Sequence, residues 1–202
     1  MDMELFKTLI CVILINLPAA GSFTSDREEK MTEESESILT LFDFEDKKEI
    51  ESWHAVNDNV MGGLSQGSAT VNDEGCLVFS GAVSLENNGG FSSVRTLPAN
   101  YRLKKYTGIK IRVKGDGRKY QFRIRTNSSF DGVAFKQEFT TAPDEWTEIE
   151  LPFESFLPTF RGRILQDIPP LDPDEIKQIG FLISDKKEGK FELLVDRIAA
   201  YK

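Results

Sequence analysis

The sequence predicts an all-β protein, a jelly-roll β-sandwich with at most short helices. Three observations predict it. Apolar and polar residues alternate over short stretches, as where Ile109, Ile111 and Val113 interleave with Lys110, Arg112 and Lys114, the period of a half-buried strand. Clusters of Gly, Asn and Asp punctuate these stretches at short intervals. No segment keeps the 3.6-residue apolar period of a helix for three turns. Phe is the main core builder, with 15 residues in a chain of 202.

The first element lies outside the sandwich. Lys7 precedes an apolar run from Thr8 to Leu17, which is followed by the small residues Ala19, Ala20, Gly21 and Ser22. Residues 1–21 therefore read as a secretory signal peptide, and the protein is expected to be exported, periplasmic or extracellular. The run falls short of the ~20 apolar residues of a spanning helix, so no transmembrane segment is expected unless the leader is kept as an anchor. Cys11 would leave with the leader, so Cys76 is the only mature thiol and an intrachain disulfide is excluded. Residues 22–37 carry Asp26, Glu28, Glu29, Glu33, Glu34 and Glu36 with few apolar side chains. They read as an acidic flexible spacer, unable to bury enough surface to offset chain entropy.

The sandwich domain is expected over residues 38–202. Leu39, Leu41, Phe42 and Phe44 open it, and a short helix is expected over residues 45–51. Ala69 to Val71 and Leu77 to Phe79 flank Asn72-Asp73-Glu74-Gly75 and read as a hairpin. Ile109 to Val113 and Tyr120 to Ile124 flank Gly115-Asp116-Gly117, also read as a hairpin turn. Val133, Phe135 and Phe139 form a further strand, and Trp146, Ile149 and Leu151 another. A short helix is expected over residues 172–177. Ile179, Phe181 and Ile183, a turn over residues 185–189, and Phe191 to Ile198 close the chain.

One stretch, Trp53-His54-Ala55-Val56-Asn57-Asp58-Asn59-Val60-Met61-Gly62-Gly63-Leu64-Ser65, fits neither a helix nor a regular strand and reads as a shaped loop. Asn and Asp side chains bond nearby backbone, and Gly62-Gly63 permits positive φ or close backbone approach. On one reading the loop is a binding surface, with Trp53 and Met61 giving apolar contact and Asn57, Asp58 and Ser65 giving directed hydrogen bonds. On the other, Trp53 plugs one end of the sandwich and the polar residues form the corner beside it.

The chemical inventory excludes more than it offers. A net charge of −8 and a pI near 4.9 argue against a nucleic-acid partner. His54 is the sole histidine, so a histidine-based metal cluster is excluded. Cys76 sits in a strand pattern as a buried apolar residue. Gly115-Asp116-Gly117 lacks the strand-to-helix setting of a phosphate loop. No catalytic constellation is visible, and neither enzyme activity, cofactor nor metal is expected.

The same residues resemble the complex I intermediate-associated protein 30 family. The matching stretches are Trp53 to Ser65, Gly89-Gly90-Phe91-Ser92-Ser93-Val94-Arg95, Gly115-Asp116-Gly117-Arg118-Lys119-Tyr120, Phe160-Arg161-Gly162-Arg163, and Ile179-Gly180-Phe181 through Asp185 to Phe191. The resemblance implies a galactose-binding-like jelly roll and, for mitochondrial members, a non-enzymatic role in assembling respiratory complex I. It makes an organellar location the alternative to export. Two functions are consistent with this. A chaperone-like assembly factor would grip a protein partner, a complex I assembly intermediate by resemblance, through Trp53 and Met61, with Asp58, Arg95, Arg123 and Arg161 as polar anchors. An exported carbohydrate-binding module would instead use Trp53 as a stacking platform, with Asn57, Asp58 and Arg123 bonding sugar hydroxyls. Gly62, Gly63, Ser65 and Asp185 join either binding set. Arg112 and Arg125 are expected to solvate strand faces or to fix loops through carbonyls.

Overall fold

The computed structural model describes residues 37–129 and 131–202. The expected signal peptide and nearly all of the expected spacer lie outside them. The strands are β1 (Ile38–Phe42), β2 (Trp53–Asn57), β3 (Gln66–Val71), β4 (Leu77–Val83), β5 (Ser92–Thr96), β6 (Gly108–Gly115) and β7 (Lys119–Arg125). They continue with β8 (Ala134–Thr140), β9 (Trp146–Pro152), β10 (Leu157–Phe160), β11 (Arg163–Ile164), β12 (Gln178–Ile183) and β13 (Gly189–Tyr201). One sheet runs β3-β4-β13-β6-β9, with β1 also paired to β13; the other runs β11-β10-β8-β7-β12-β5-β2. The expected short helices are 3₁₀ turns at Lys47–Ser52 and Pro173–Glu175.

The two sheets face each other across a core in which Phe44, Phe79, Tyr120, Phe122 and Phe181 are fully buried among Leu, Ile and Val. Period-2 alternation puts one side of each strand into this core. On β6 it leaves Lys110 and Arg112 outside, paired with Glu150 and Asp196. Arg112 also lies over the Trp146 ring at 4.6 Å, so it solvates its strand face as expected.

Gly115-Asp116-Gly117 is not a hairpin turn. It carries the chain from β6 in one sheet to β7 in the other, and residues 184–188 likewise link β12 to β13 across the sandwich. Alternation cannot distinguish a hairpin from such an arch, because both strands point their apolar faces at the same core. The two arches are laced together. Arg118 Nε and Nη2 donate to Asp185 Oδ2 and Oδ1 at 3.0 and 2.6 Å, and Nη1 donates to the Gly189 and Lys190 carbonyls. Asp116 Oδ1 accepts from the Tyr120 hydroxyl at 2.9 Å, and Oδ2 accepts from the Glu192 amide at 3.0 Å. Arg118 holds Asp185 in a bidentate pair that is almost out of solvent. Asp185 therefore fastens an arch and does not itself line the cleft described next, although Ser184 and Lys186 on either side of it do.

Candidate functional site

The stretch expected to be a loop divides in two. Trp53–Asn57 is a regular edge strand, paired with β5 from Trp53↔Thr96 to Asn57↔Ser92, and Asp58–Met61 is a 3₁₀ turn. Gly62 closes that turn at φ 90°, a conformation that suits glycine. The sequence hid the strand because only Trp53 of β2 is fully buried, as befits an edge. Trp53 is 7% exposed and packs against Phe42, Phe44 and Phe181 with ring centroids 5.3–6.2 Å apart. It is the core plug, and no ligand could stack on it.

Asp58 is 1% exposed. Its Oδ1 accepts from the Ser65 amide at 2.9 Å, while Oδ2 accepts from the Gly90 and Phe91 amides at 2.7 and 3.2 Å. Burial pushes its pKa up, but these hydrogen bonds outweigh that and hold the carboxyl below its ordinary value. Gly63 is required by the same clamp, since a Cβ there would lie 2.4 Å from the Asp58 carboxyl carbon. Ser65 Oγ bonds both the amide and the carbonyl of Ser84, and Asn57 bonds the Gly67 carbonyl and the Ser92 hydroxyl. Asn57, Asp58 and Ser65 thus spend their polar groups on β3 and the 84–92 connection, and Gly63 leaves room for the Asp58 carboxylate. Met61, 63% exposed, and Leu64, 51% exposed, are the large apolar side chains of this stretch that reach outward, and Met61 is the one that lines the cleft described next.

What the clamp shapes is the rim of a cleft of about 830 Å³ on the outer face of the second sheet. Strand register lays its floor in two rows. One runs Arg95, Gly180, Arg123 and Lys136, with His54 and Leu157 continuing it outside the cleft; the next runs Val56, Ser93, Leu182, Gln121 and Glu138. Arg125 stands beside Gln178 in a further row on the other side of the first. Arg161, at the tip after β10, reaches the rim and pairs with Asp131 at 2.9 Å. Arg95, Arg123 and Arg161 are therefore brought to one cleft, with Met61 at its edge.

Arg125 fixes a loop through a carbonyl, as expected, its Nη1 donating to Gly132 O at 3.1 Å, and it also lines the cleft, which was not expected. Lys136, Gln178 and Gly180 also belong to the cleft and were missed. The polar side of β7, Gln121-Arg123-Arg125, was visible as alternation, but nothing local says whether such a face meets solvent or floors a groove.

The electrostatics are unusual for an acidic protein. Burial, then Arg125 and Arg95 beside it, push the pKa of Arg123 down to about 10. Burial and Arg125 likewise push Arg95 down to about 10, opposed by Asp131. Both remain cations at neutral pH. Arg95 Nε donates to His54 Nε2 at 3.2 Å, and His54 has its pKa lowered by burial and by Arg95, which keeps it neutral. Among the described residues Arg123 has no hydrogen-bond or ion-pair partner, and Gln178 Oε1 is buried without one. No group of three or more His, Cys, Asp or Glu among the described residues is placed to hold a metal ion.

The sequence pattern of the family described as Complex I intermediate-associated protein 30 matches residues 42–195. The mouse mitochondrial protein of that name is 26% identical over 189 residues, 82% of this chain and 57% of its own. The Drosophila melanogaster protein, also named mitochondrial, is 23% identical over 78% of this chain and 61% of its own. The chain thus spans little more than half the length of these relatives. Among solved structures, a family 11 carbohydrate-binding module of a Clostridium thermocellum cellulosomal cellulase superposes with a TM-score of 0.62, at 23% identity, over 81% of this chain and 94% of its own. An agarase superposes with a TM-score of 0.56, at 16% identity, over 82% of this chain and 25% of its own. At these identities the likeness is one of fold: the galactose-binding-like jelly roll.

Proposed function

Because the chain belongs to the Complex I intermediate-associated protein 30 family, we propose that it is a non-enzymatic, chaperone-like assembly factor that holds a protein partner in the cleft of its second sheet. The observation that carries this reading is the make-up of that cleft. Apolar Met61, Val56, Phe91 and Leu182 lie in one cleft with the cationic Arg95, Arg123, Arg125 and Lys136, the mixture of apolar and arginine contacts on which protein interfaces concentrate their energy. The relatives named for complex I support an assembly intermediate as the partner, and their mitochondrial names support an organellar site of action over export. Among the described residues no helix is long and apolar enough to cross a membrane.

Carbohydrate binding ranks second. The fold likeness favours it, but the stacking platform it called for, Trp53, is buried. The other tryptophan, Trp146, lies on β9 of the opposite sheet.

The test is site-directed photocrosslinking in the native cell, with a crosslinking residue at Met61 or Gln121 in the cleft, and at exposed Thr70 on the opposite sheet as control. The expected result is a crosslink to a respiratory-complex subunit or assembly protein from the cleft positions only. Equal crosslinking from Thr70, or none from the cleft, overturns the reading.

A further inference from the structure

The cleft floor holds more positive charge than its own acids meet. Arg161 is taken up by Asp131 at 2.9 Å and Lys136 by Glu138 at 2.7 Å. Arg125 spends one nitrogen on the Gly132 carbonyl. Arg123, between them, has neither hydrogen-bond nor ion-pair partner among the described residues. A half-buried guanidinium crowded by two others, with five donors and no protein acceptor, is costly to keep, and part of that cost is recovered when an anion arrives.

Register shows where that anion would sit. Gly180 on β12 is paired with Arg95 on one side and Arg123 on the other. The two arginines thus rise from strands two spacings apart, ~10 Å at the Cα level, over a residue with no side chain. Any larger residue is forbidden there, since a Cβ would lie 2.2 Å from the Val94 carbonyl oxygen and 2.8 Å from Arg95 Cα. Gly180 therefore lets β5 pass close by and lines the cleft with backbone alone, so the notch over it is flanked by two long cationic side chains, with Arg125 and the buried, unpartnered Oε1 of Gln178 in the further row. Guanidinium forks suit a carboxylate, which can accept from both at once.

The neighbouring row decides what carries the carboxylate. Val56 and Leu182 lie in it, and Met61, 63% exposed, stands at the rim. A lone inorganic anion would leave that apolar strip and most of the 830 Å³ unused. We propose that the notch above Gly180, between Arg95 and Arg123, seats a side-chain carboxylate of an extended acidic segment of the protein partner, whose apolar residues lie against Val56, Leu182 and Met61. This rests on the cleft being the partner-binding face and adds the chemistry that the partner must present.

The test measures binding of the full chain to a blocked, fluorescently labelled peptide alternating Glu with Leu, against the same peptide with Gln for Glu, and against inorganic sulfate and phosphate as competitors. The Glu peptide is expected to bind at least tenfold more tightly than the Gln peptide and to weaken as NaCl is raised. Arg123→Met should lose at least tenfold of that binding while its melting temperature stays level or rises, since it removes a crowded, unpartnered charge. Arg123→Lys should keep part of the affinity, lacking the planar fork. Where Arg123→Met does not fold, Arg125→Met supplies the same comparison. Equal binding of the Glu and Gln peptides, or full binding by the arginine variants, overturns the proposal. So does displacement of the Glu peptide by sulfate or phosphate at matching concentration, which would mark a small-anion site. Cleft crosslinks that persist without a Glu preference would leave the partner face standing without an anion seat; loss of both sinks both readings.

Discussion

Replacing Asp58 by alanine removes the acceptor from three backbone amides, those of Ser65, Gly90 and Phe91, at 2.9, 2.7 and 3.2 Å. A hydrogen bond to a charged acceptor contributes about 1.5–3 kcal/mol, and a buried donor left without one costs about 1–3 kcal/mol. The Ser65 amide bond is buried, whereas Gly90 and Phe91 are only partly covered and can recover a water. One full loss and two partial ones give about 3 kcal/mol. For a chain of this size that lowers the melting temperature by ~6–12 °C, at ~2–4 °C per kcal/mol. Asp58→Asn keeps an acceptor oxygen but presents an amide to one of the donors, so it should fall between the parent and Asp58→Ala. Thermal unfolding followed by circular dichroism, with urea titration to confirm an unchanged slope, reads both. A melting temperature for Asp58→Ala within ~1 °C of the parent, with ligand capture lost, would refute the reasoning and restore Asp58 as a direct contact.

Met61→Ala should change stability by no more than ~0.5 kcal/mol, being on an exposed side chain, yet reduce partner crosslinking from neighbouring cleft positions. Trp53→Ala should cost ~3–5 kcal/mol through the cavity left among Phe42, Phe44 and Phe181, read by urea unfolding. Arg118→Lys should lower the melting temperature because an ammonium cannot reproduce the bidentate grip on Asp185, and Asp185→Asn should do the same; a level melting curve for both would remove the arch-lacing role. Stability should fall with pH in two stages. His54 has a folded pKa below its ordinary 6.5, so the unfolded chain takes up the proton first and stability declines as pH falls below 6.5. Asp58 and Asp185 have folded pKa values below 3.8, so their contribution is present above 3.8 and is lost as pH falls through those lowered values. His54→Gln should abolish the upper stage alone in a pH series of melting curves.

The sequence by itself determined the all-β class, the short 3₁₀ turns and most strands, because alternation and turn residues are local signals that burial on one face enforces. It also marked the motifs of the family. Most of those motifs prove to hold the fold: Asp58 clamps residues 90–91, Asp116 and Arg118 lace two arches, and Trp53 fills the core. Only the tertiary structure decided three things. It separated arches from hairpins at residues 115–117 and 184–188, since strands facing one core look alike whichever sheet they join. It showed β2 to be an edge strand, whose half-exposed residues carry little alternation. And it assembled the cleft, whose floor comes from β5, β12, β7 and β8, distant in sequence. Arg95, Arg123 and Gly180 become one notch through antiparallel register alone, a relation between strands that no single stretch of sequence contains.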